Sequence, residues 1–268
     1  MKVGILGAGW LGSVLAEKAL KNNHTVKVSG TSPKKVSFLK DKGFNAQLLN
    51  VMEDRVSGDL SFFRDIDTLI ITIPPGLRKN PTRNYVGMIE QLIEKIVRFE
   101  IKKVVYTSST SVYGFEELTI TEESEILPIT NAGKQIAACE KKLLDNTAFE
   151  SCIIRLGGLM GPDRHPIYSL SGKQNLPNPK SPINFIHQKD AVGIILHLTE
   201  NWKGNDVYNA VAPYHPPREK YYNNISKLAK VPPPTFQKKG QIRGEISSLK
   251  LLKSTSYDFS VENLLIFN

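Results

Sequence analysis

Short apolar runs alternate with longer stretches of helical spacing through the first 155 residues. The runs at residues 2–6, 25–29, 45–50, 68–73, 103–107 and 151–156 are rich in valine and isoleucine. They have the length of strands buried on both faces. Between them, residues 11–21, 34–42, 83–99 and 131–146 place apolar side chains three and four apart, as amphipathic helices do. This alternation predicts a parallel sheet covered on both sides, and the right-handed crossover rule makes it doubly wound. After Gly157 the texture changes. Pro162, Pro166, Pro177, Pro179 and Pro182 interrupt any long regular element. A helix at 188–199, a strand at 206–211 and a helix at 217–229 follow, the last stopped by Val231-Pro232-Pro233-Pro234.

The first strand runs directly into Gly7-Ala8-Gly9-Trp10-Leu11-Gly12, which opens the first helix. Strand, glycine turn and helix in that order form the phosphate-binding start of a dinucleotide-binding unit. The first glycine permits the tight turn, the second lets backbone approach a pyrophosphate, and the third lets helix and strand pack closely. The expected fold is therefore α/β, a Rossmann-type doubly wound parallel sheet with a small C-terminal lobe on the substrate side. Residues 1–157 form the dinucleotide-binding domain, with 184–211 adding a helix and a strand to it. Residues 158–268 form the lobe, which is not expected to fold alone.

The end of the second strand selects between coenzymes, because a carboxylate there accepts a ribose 2′-hydroxyl whereas basic residues accommodate a 2′-phosphate. Here it reads Ser29-Gly30-Thr31-Ser32-Pro33-Lys34-Lys35, without an acid. Thr31, Ser32, Lys34 and Lys35 suit a phosphate dianion, so NADP(H) is favoured over NAD(H). Ser32 also reads as an ordinary helix N-cap, and the two readings are compatible. Ile73, Pro74 and Pro75 end the fourth strand and are expected to lie against the cofactor by shape and through carbonyls. Asn50, ending the third strand, is placed to reach the adenine.

The chain has 268 residues, 40% of them apolar, and a formal charge of +9. That length supports a full α/β core. The positive charge is spread over pairs such as Lys34-Lys35, Lys102-Lys103, Lys141-Lys142 and Lys238-Lys239, without a long basic block or interleaved aromatics. It favours anionic small molecules, and no nucleic-acid partner is expected. No run of about 18 apolar residues exists, so no membrane span is expected. The N-terminal apolar run reads as a buried strand and not a signal peptide. Cys139 and Cys152 look like core thiols, which points to a cytoplasmic protein. Five scattered histidines and these two cysteines show no metal-ligand spacing.

Val105-Tyr106-Thr107-Ser108-Ser109-Thr110-Ser111-Val112-Tyr113-Gly114 resembles the "SS-x-x-VYG" segment of extended short-chain dehydrogenases/reductases, which include nucleotide-sugar epimerases and dehydratases. Arg155-Leu156-Gly157-Gly158-Leu159-Met160-Gly161-Pro162 resembles their "R-x-x-x-x-x-GP" segment, and Asn184-Phe185-Ile186-His187-Gln188-Lys189-Asp190-Ala191 their "I-H-x-x-D-A" segment. With the glycine turn, these cover most of residues 1–211 in the family's order. The resemblance places Trp10, Leu11, Thr107, Ser108, Leu156, Gly157 and Gly158 among the cofactor contacts.

The family's catalytic tyrosine and lysine lie four apart on one helix, where the lysine lowers the phenol's pKa and holds the ribose. Anchoring Glu140 to the family's "K-x-x-x-E" ending puts Ala132 and Ile136 at those positions. None of the nine tyrosines has a lysine four residues later. A GxGxxG turn with Gly-Lys near the tyrosine position resembles an atypical branch of the superfamily with largely undefined substrates. Ser109 falls where the family's hydrogen-bonding serine or threonine sits. Lys134 is a candidate for ribose or phosphate, with solvent exposure as the alternative. Tyr113 is a candidate proton donor, together with Arg164, His165 and Tyr168 in the loop expected to enclose the substrate. His165 has an ordinary pKa near neutrality, and His187 is expected to be structural. Two functions stay open: an NADP-dependent oxidoreductase or epimerase/dehydratase-like enzyme with a non-standard proton donor, acting on a small molecule, or a cofactor-binding sensor without turnover.

Overall fold

The computed structural model describes residues 1–114 and 118–265. Its strands are β1 (Lys2–Leu6), β2 (Thr25–Gly30), β3 (Asn45–Val51), β4 (Val56–Gly58), β5 (Thr68–Ile71), β6 (Lys103–Ser109), β7 (Thr119–Ile120), β8 (Glu150–Leu156), β9 (Gly158–Met160), β10 (Phe185–His187), β11 (Asp206–Ala210) and β12 (Glu245–Ile246). Its helices are α1 (Trp10–Lys21), α2 (Pro33–Asp41), α3 (Tyr85–Arg98), α4 (Asn131–Leu144), α5 (Ile167–Leu170), α6 (Gln188–Asn201), α7 (Arg218–Leu228) and α8 (Leu249–Thr255). No helix among the described residues is long and apolar enough to cross a membrane.

Eight strands form one sheet in the order β11-β8-β6-β5-β1-β2-β3-β4. Pairing is parallel from β3 through β2, β1 and β5 to β6, with β4 antiparallel at the edge. This is the doubly wound order, and the chain reverses direction across the sheet between β1 and β5. The buried strands explain the apolar runs: Val3, Ile5, Leu69, Ile70, Ile71, Val104 and Val105 are fully enclosed. α1 turns Leu11, Leu15, Ala16 and Ala19 inward, and α3 does the same with Met88, Ile89, Leu92 and Ile96. Helix starts are set by side chains. Ser32 accepts from the Lys35 N–H, Asn84 from that of Gly87, and Thr130 from that of Gly133.

The chain divides into two compact units. The first holds Met1–Val112, Pro128–Ile154 and Ile195–Val207, the second Tyr113–Leu127, Arg155–Ile194 and Tyr208–Asn268. The division runs through β8, α6 and β11. Within the second unit, two short parallel pairs, β9 with β10 and β7 with β12, replace long strands. Met160, Ile167, Ile183, Tyr221, Tyr222, Ile225 and Leu264 pack as its core. Sequence patterning misses these two-to-three-residue strands, and also β4, because pairs this short carry no periodicity to read.

Candidate functional site

In the first unit β1 ends at Leu6, and Gly7 turns the chain with φ +106°, a conformation that side chains disfavour. Its N–H donates to Ser29 Oγ at 3.0 Å, and the Thr72 hydroxyl donates to the Gly7 carbonyl at 2.8 Å. A side chain on Gly12 would overlap that same carbonyl, so α1 lies directly on the turn. Around Gly9 the situation is opposite: a Cβ there would meet nothing within 4 Å. Gly9 is the α1 N-cap, no side chain caps the helix, and its first turn holds no acid. The first-turn N–H groups and the positive helix end are thus presented beside open space, which is what a phosphate needs.

The turn lies along the carboxyl edge of the parallel strands β3, β2, β1, β5 and β6. Ile73 lies against Gly7, and its carbonyl accepts from the Tyr85 hydroxyl at 2.8 Å. Pro74 is exposed and Pro75 half-buried in the loop that follows. Thr107 donates its hydroxyl to the Ile71 carbonyl at 3.0 Å, knitting β6 to β5. Ser109, half-buried at the end of β6, accepts from the Ser111 N–H at 3.1 Å. At the end of β2, Thr31 and Lys34 are exposed, Ser32 caps α2, and the Lys35 ammonium sits 5.1 Å from the centre of the Phe38 ring. Trp10 is half-buried and Leu11 buried. Asn50 lies opposite Ser57 in the β3–β4 pair, one residue before the strand ends at Val51.

α4 carries Ala132 and Ile136, the positions at which the resemblance expects a tyrosine and a lysine. Ile136 is buried, Ala132 half-buried and Lys134 exposed. Two features of this helix escape sequence reasoning. A side chain on Gly133 would overlap the Ser111 carbonyl, so the first turn of α4 presses on the short turn after β6. Ser108 donates its hydroxyl to the Glu140 carboxylate, and both are buried, 5% and 3% exposed. Glu140 serves the sequence reading only as a register mark; the signal for its role is an acid on the apolar face of an amphipathic helix.

The remaining candidates belong to the second unit. The Tyr113 hydroxyl accepts from Arg155 at 2.7 Å and donates to Asn209 Oδ1 at 2.8 Å. The side chain is 4% exposed, and burial raises its pKa above the ordinary phenol value. This phenol keeps its proton at neutral pH and has its oxygen engaged on both sides. Leu156 is buried; Gly157 donates to the Ala210 carbonyl and Gly158 to that of Asn184, with the Phe185 ring where a Gly158 side chain would be. Arg164 and Tyr168 are exposed.

His165 differs from expectation. Its Nδ1 accepts from the Ile167 N–H and its Nε2 lies 3.0 Å from the Tyr221 hydroxyl, so both nitrogens are occupied. Burial lowers its pKa to about 4, because a cation there loses the water that would solvate it. It is neutral at pH 7. His187 accepts from the Lys189 N–H and is buried. Asp190, fully buried, accepts from the N–H groups of Ser260 and Val261 at 2.7 and 2.9 Å and from the Tyr257 hydroxyl at 3.1 Å. The aspartate of the "I-H-x-x-D-A" segment thus anchors the C-terminal stretch. No cluster of metal-ligating side chains occurs among the described residues.

The chain matches no family model. It is 33% identical over 238 residues to protein YeeZ of Escherichia coli strain K12, covering 88% of this chain and 86% of YeeZ. Among solved structures it is similar to MoeE5 in complex with UDP-glucose and NAD, with a TM-score of 0.78, 17% identity, and coverage of 99% and 96% of the two chains. The UDP-glucuronic acid 4-epimerase of Bacillus cereus, solved with UDP-glucuronic acid and NAD, gives 0.78 at 19% identity, covering 97% and 95%. The shared architecture is the Rossmann-type α/β fold of those enzymes. By identity and coverage together, the chain belongs to the family of Escherichia coli protein YeeZ, built on the fold of the extended short-chain dehydrogenases/reductases.

Proposed function

We propose that this protein binds a nicotinamide dinucleotide at the Gly7–Gly12 turn and acts as an oxidoreductase or epimerase/dehydratase-like enzyme on a small molecule. The observation that carries the reading is the division of labour among the three glycines. Gly7 makes the turn, Gly12 packs under it, and Gly9 faces open space at an uncapped helix start. MoeE5 and the B. cereus epimerase, similar in fold, were solved with NAD and a UDP-sugar, which supports the same class of coenzyme and anionic small molecules as substrates. The acid-free β2 end favours NADP(H). Within it Lys34 is the more available cation, since Lys35 lies on Phe38.

A bound nicotinamide supplies the hydride chemistry. The chain's own part is to hold the reacting oxygen. We assign this to Ser109, half-buried at the carboxyl end of β6 with the buried Ser108–Glu140 pair fixing the strand behind it. Lys134, exposed on the first turns of α4, is the second cation available to ribose or phosphate. Arg164 and Tyr168 are assigned to the substrate by their exposure; Tyr113 is assigned to holding Arg155 and Asn209 in place.

Titration calorimetry with NADPH, NADH, NADP⁺ and NAD⁺ tests the coenzyme. Gly9→Val should abolish binding, and replacing Lys34 and Lys35 by glutamate should weaken NADPH far more than NADH. Absence of heat with all four forms would overturn the proposal. Turnover is read as NADPH consumption over carbonyl compounds and UDP-sugars, where Ser109→Ala should lower the rate about 10- to 100-fold with NADPH affinity unchanged. Tight binding without turnover across that panel would favour a sensor.

A further inference from the structure

Between β5 and α3 the chain runs through Ile73-Pro74-Pro75-Gly76-Leu77-Arg78-Lys79-Asn80-Pro81-Thr82-Arg83-Asn84, three cations and no acid. Both ends of this loop are tied down. At its start Thr72 donates to the carbonyls of Leu6 and Gly7, and Tyr85 donates to that of Ile73. At its end the Gln135 amide donates to the Arg83 carbonyl at 3.1 Å and accepts from the Tyr85 N–H at 2.7 Å. Asn131 donates to the Pro81 carbonyl, and Glu53 accepts from the Asn84 N–H. The first turns of α4 therefore hold the loop's far end in a fixed place.

Within this frame Arg83 folds back across the loop. Its guanidinium Nη1 lies 2.5 Å from where a Gly76 Cβ would stand, and Gly76 has φ +70°. The backbone conformation favours glycine there, and the end of the arginine side chain occupies the space that a Cβ would take. Arg83 is half-buried, and among the described residues its guanidinium forms no ion pair or hydrogen bond. Glu53, the nearby acid, is bonded to the Asn84 N–H instead. A pre-placed guanidinium without a carboxylate among the described residues is suited to a bidentate phosphate contact. The loop that carries it leaves the sheet at β5, adjacent to β1 and hence beside the glycine turn, at the point where the strand order reverses.

We infer that Arg83 is a second ligand for the diphosphate of the coenzyme, closing on it from the β5 loop while the Gly7–Gly12 turn holds it from α1. The inference rests on the coenzyme reading above. It explains why a loop rich in prolines and cations is anchored by α4, and why Gly76 carries no side chain.

Calorimetric titration with NADPH and with ADP-ribose, which has the diphosphate but no nicotinamide, separates the possibilities. Arg83→Ala should weaken both ligands by the same factor, about 10- to 100-fold. Arg83→Lys should recover part of the loss, because charge returns without the planar fork. Gly76→Ala should weaken both ligands by displacing the arginine, with circular dichroism confirming an intact fold. Unchanged ADP-ribose affinity in Arg83→Ala would remove the clamp, and so would a loss confined to NADPH. If the wild-type protein binds neither ligand, the coenzyme reading falls and the clamp falls with it.

Discussion

The two units use their polar residues in opposite ways. In the first, the strand ends around Gly9 leave open space, an uncapped helix start, and an arginine without a carboxylate among the described residues. In the second, polar groups of the same motif segments are bonded to one another. Tyr113 sits between Arg155 and Asn209, His165 between Ile167 and Tyr221, and Asp190 holds Ser260 and Val261. A sequence motif can thus mark either a place kept free for a ligand or a place where loops are fastened. Only the partners reveal which. Short strands explain the need for fastening: β7, β9, β10 and β12 are two or three residues long and gain little from their own ladders.

This contrast is sharpest at Gly12 and Gly9, three residues apart. Gly12→Val should destabilise the first unit by about 3 kcal/mol or more, since the side chain meets the Gly7 carbonyl and backbone must shift. Gly9→Val should leave stability within about 1 kcal/mol while abolishing coenzyme binding. Urea unfolding of the two variants checks the difference, and equal destabilisation would erase it.

In the second unit the largest effect is expected at Asp190. Asp190→Ala takes the acceptor from two part-buried hydrogen bonds and should cost about 2–4 kcal/mol. Amide exchange should rise first around residues 257–264. Tyr113→Phe removes one hydroxyl from between Arg155 and Asn209 and should cost a smaller ~1–2 kcal/mol by thermal unfolding. A loss of turnover with no loss of stability would instead make that phenol catalytic.

The smallest effect is a pH dependence. His165 titrates at about 4 in the folded chain against an ordinary 6.5. Between those values the unfolded chain holds the additional proton, so acid favours unfolding. The stabilisation is complete above pH 6.5 and is lost as pH falls towards 4. Allowing for its partial exposure, it amounts to on the order of 1 kcal/mol. His165→Gln should flatten the stability profile in that window.

The parallel sheet and its helices were legible in the sequence to within one or two residues at most ends. Buried strands must be continuously apolar and their covering helices must repeat every 3.6 residues, so both leave a periodic trace. The β5 run was read two residues too long, since Thr72 and Ile73 turn away to bond Gly7 and to meet Tyr85. The Ser32 cap and the burial of Cys139 and Cys152 were legible for the same local reasons. Arg83 was not. It is 71 residues beyond the end of the glycine turn, and nothing local distinguishes it from Arg78 or Lys79.

The order of apolar runs and the glycine spacing determined the fold class and the turn that opens the first helix. These are properties of single segments, each set by backbone geometry and by the burial of its own side chains. Which polar groups are free and which are engaged was decided only by the tertiary structure. Ser108 and Glu140, Tyr113 and Arg155, and Arg83 and Gly76 meet across 32, 42 and 7 positions of chain. A hydrogen bond depends on distances of a few tenths of an ångström, and no local pattern of residues carries that information.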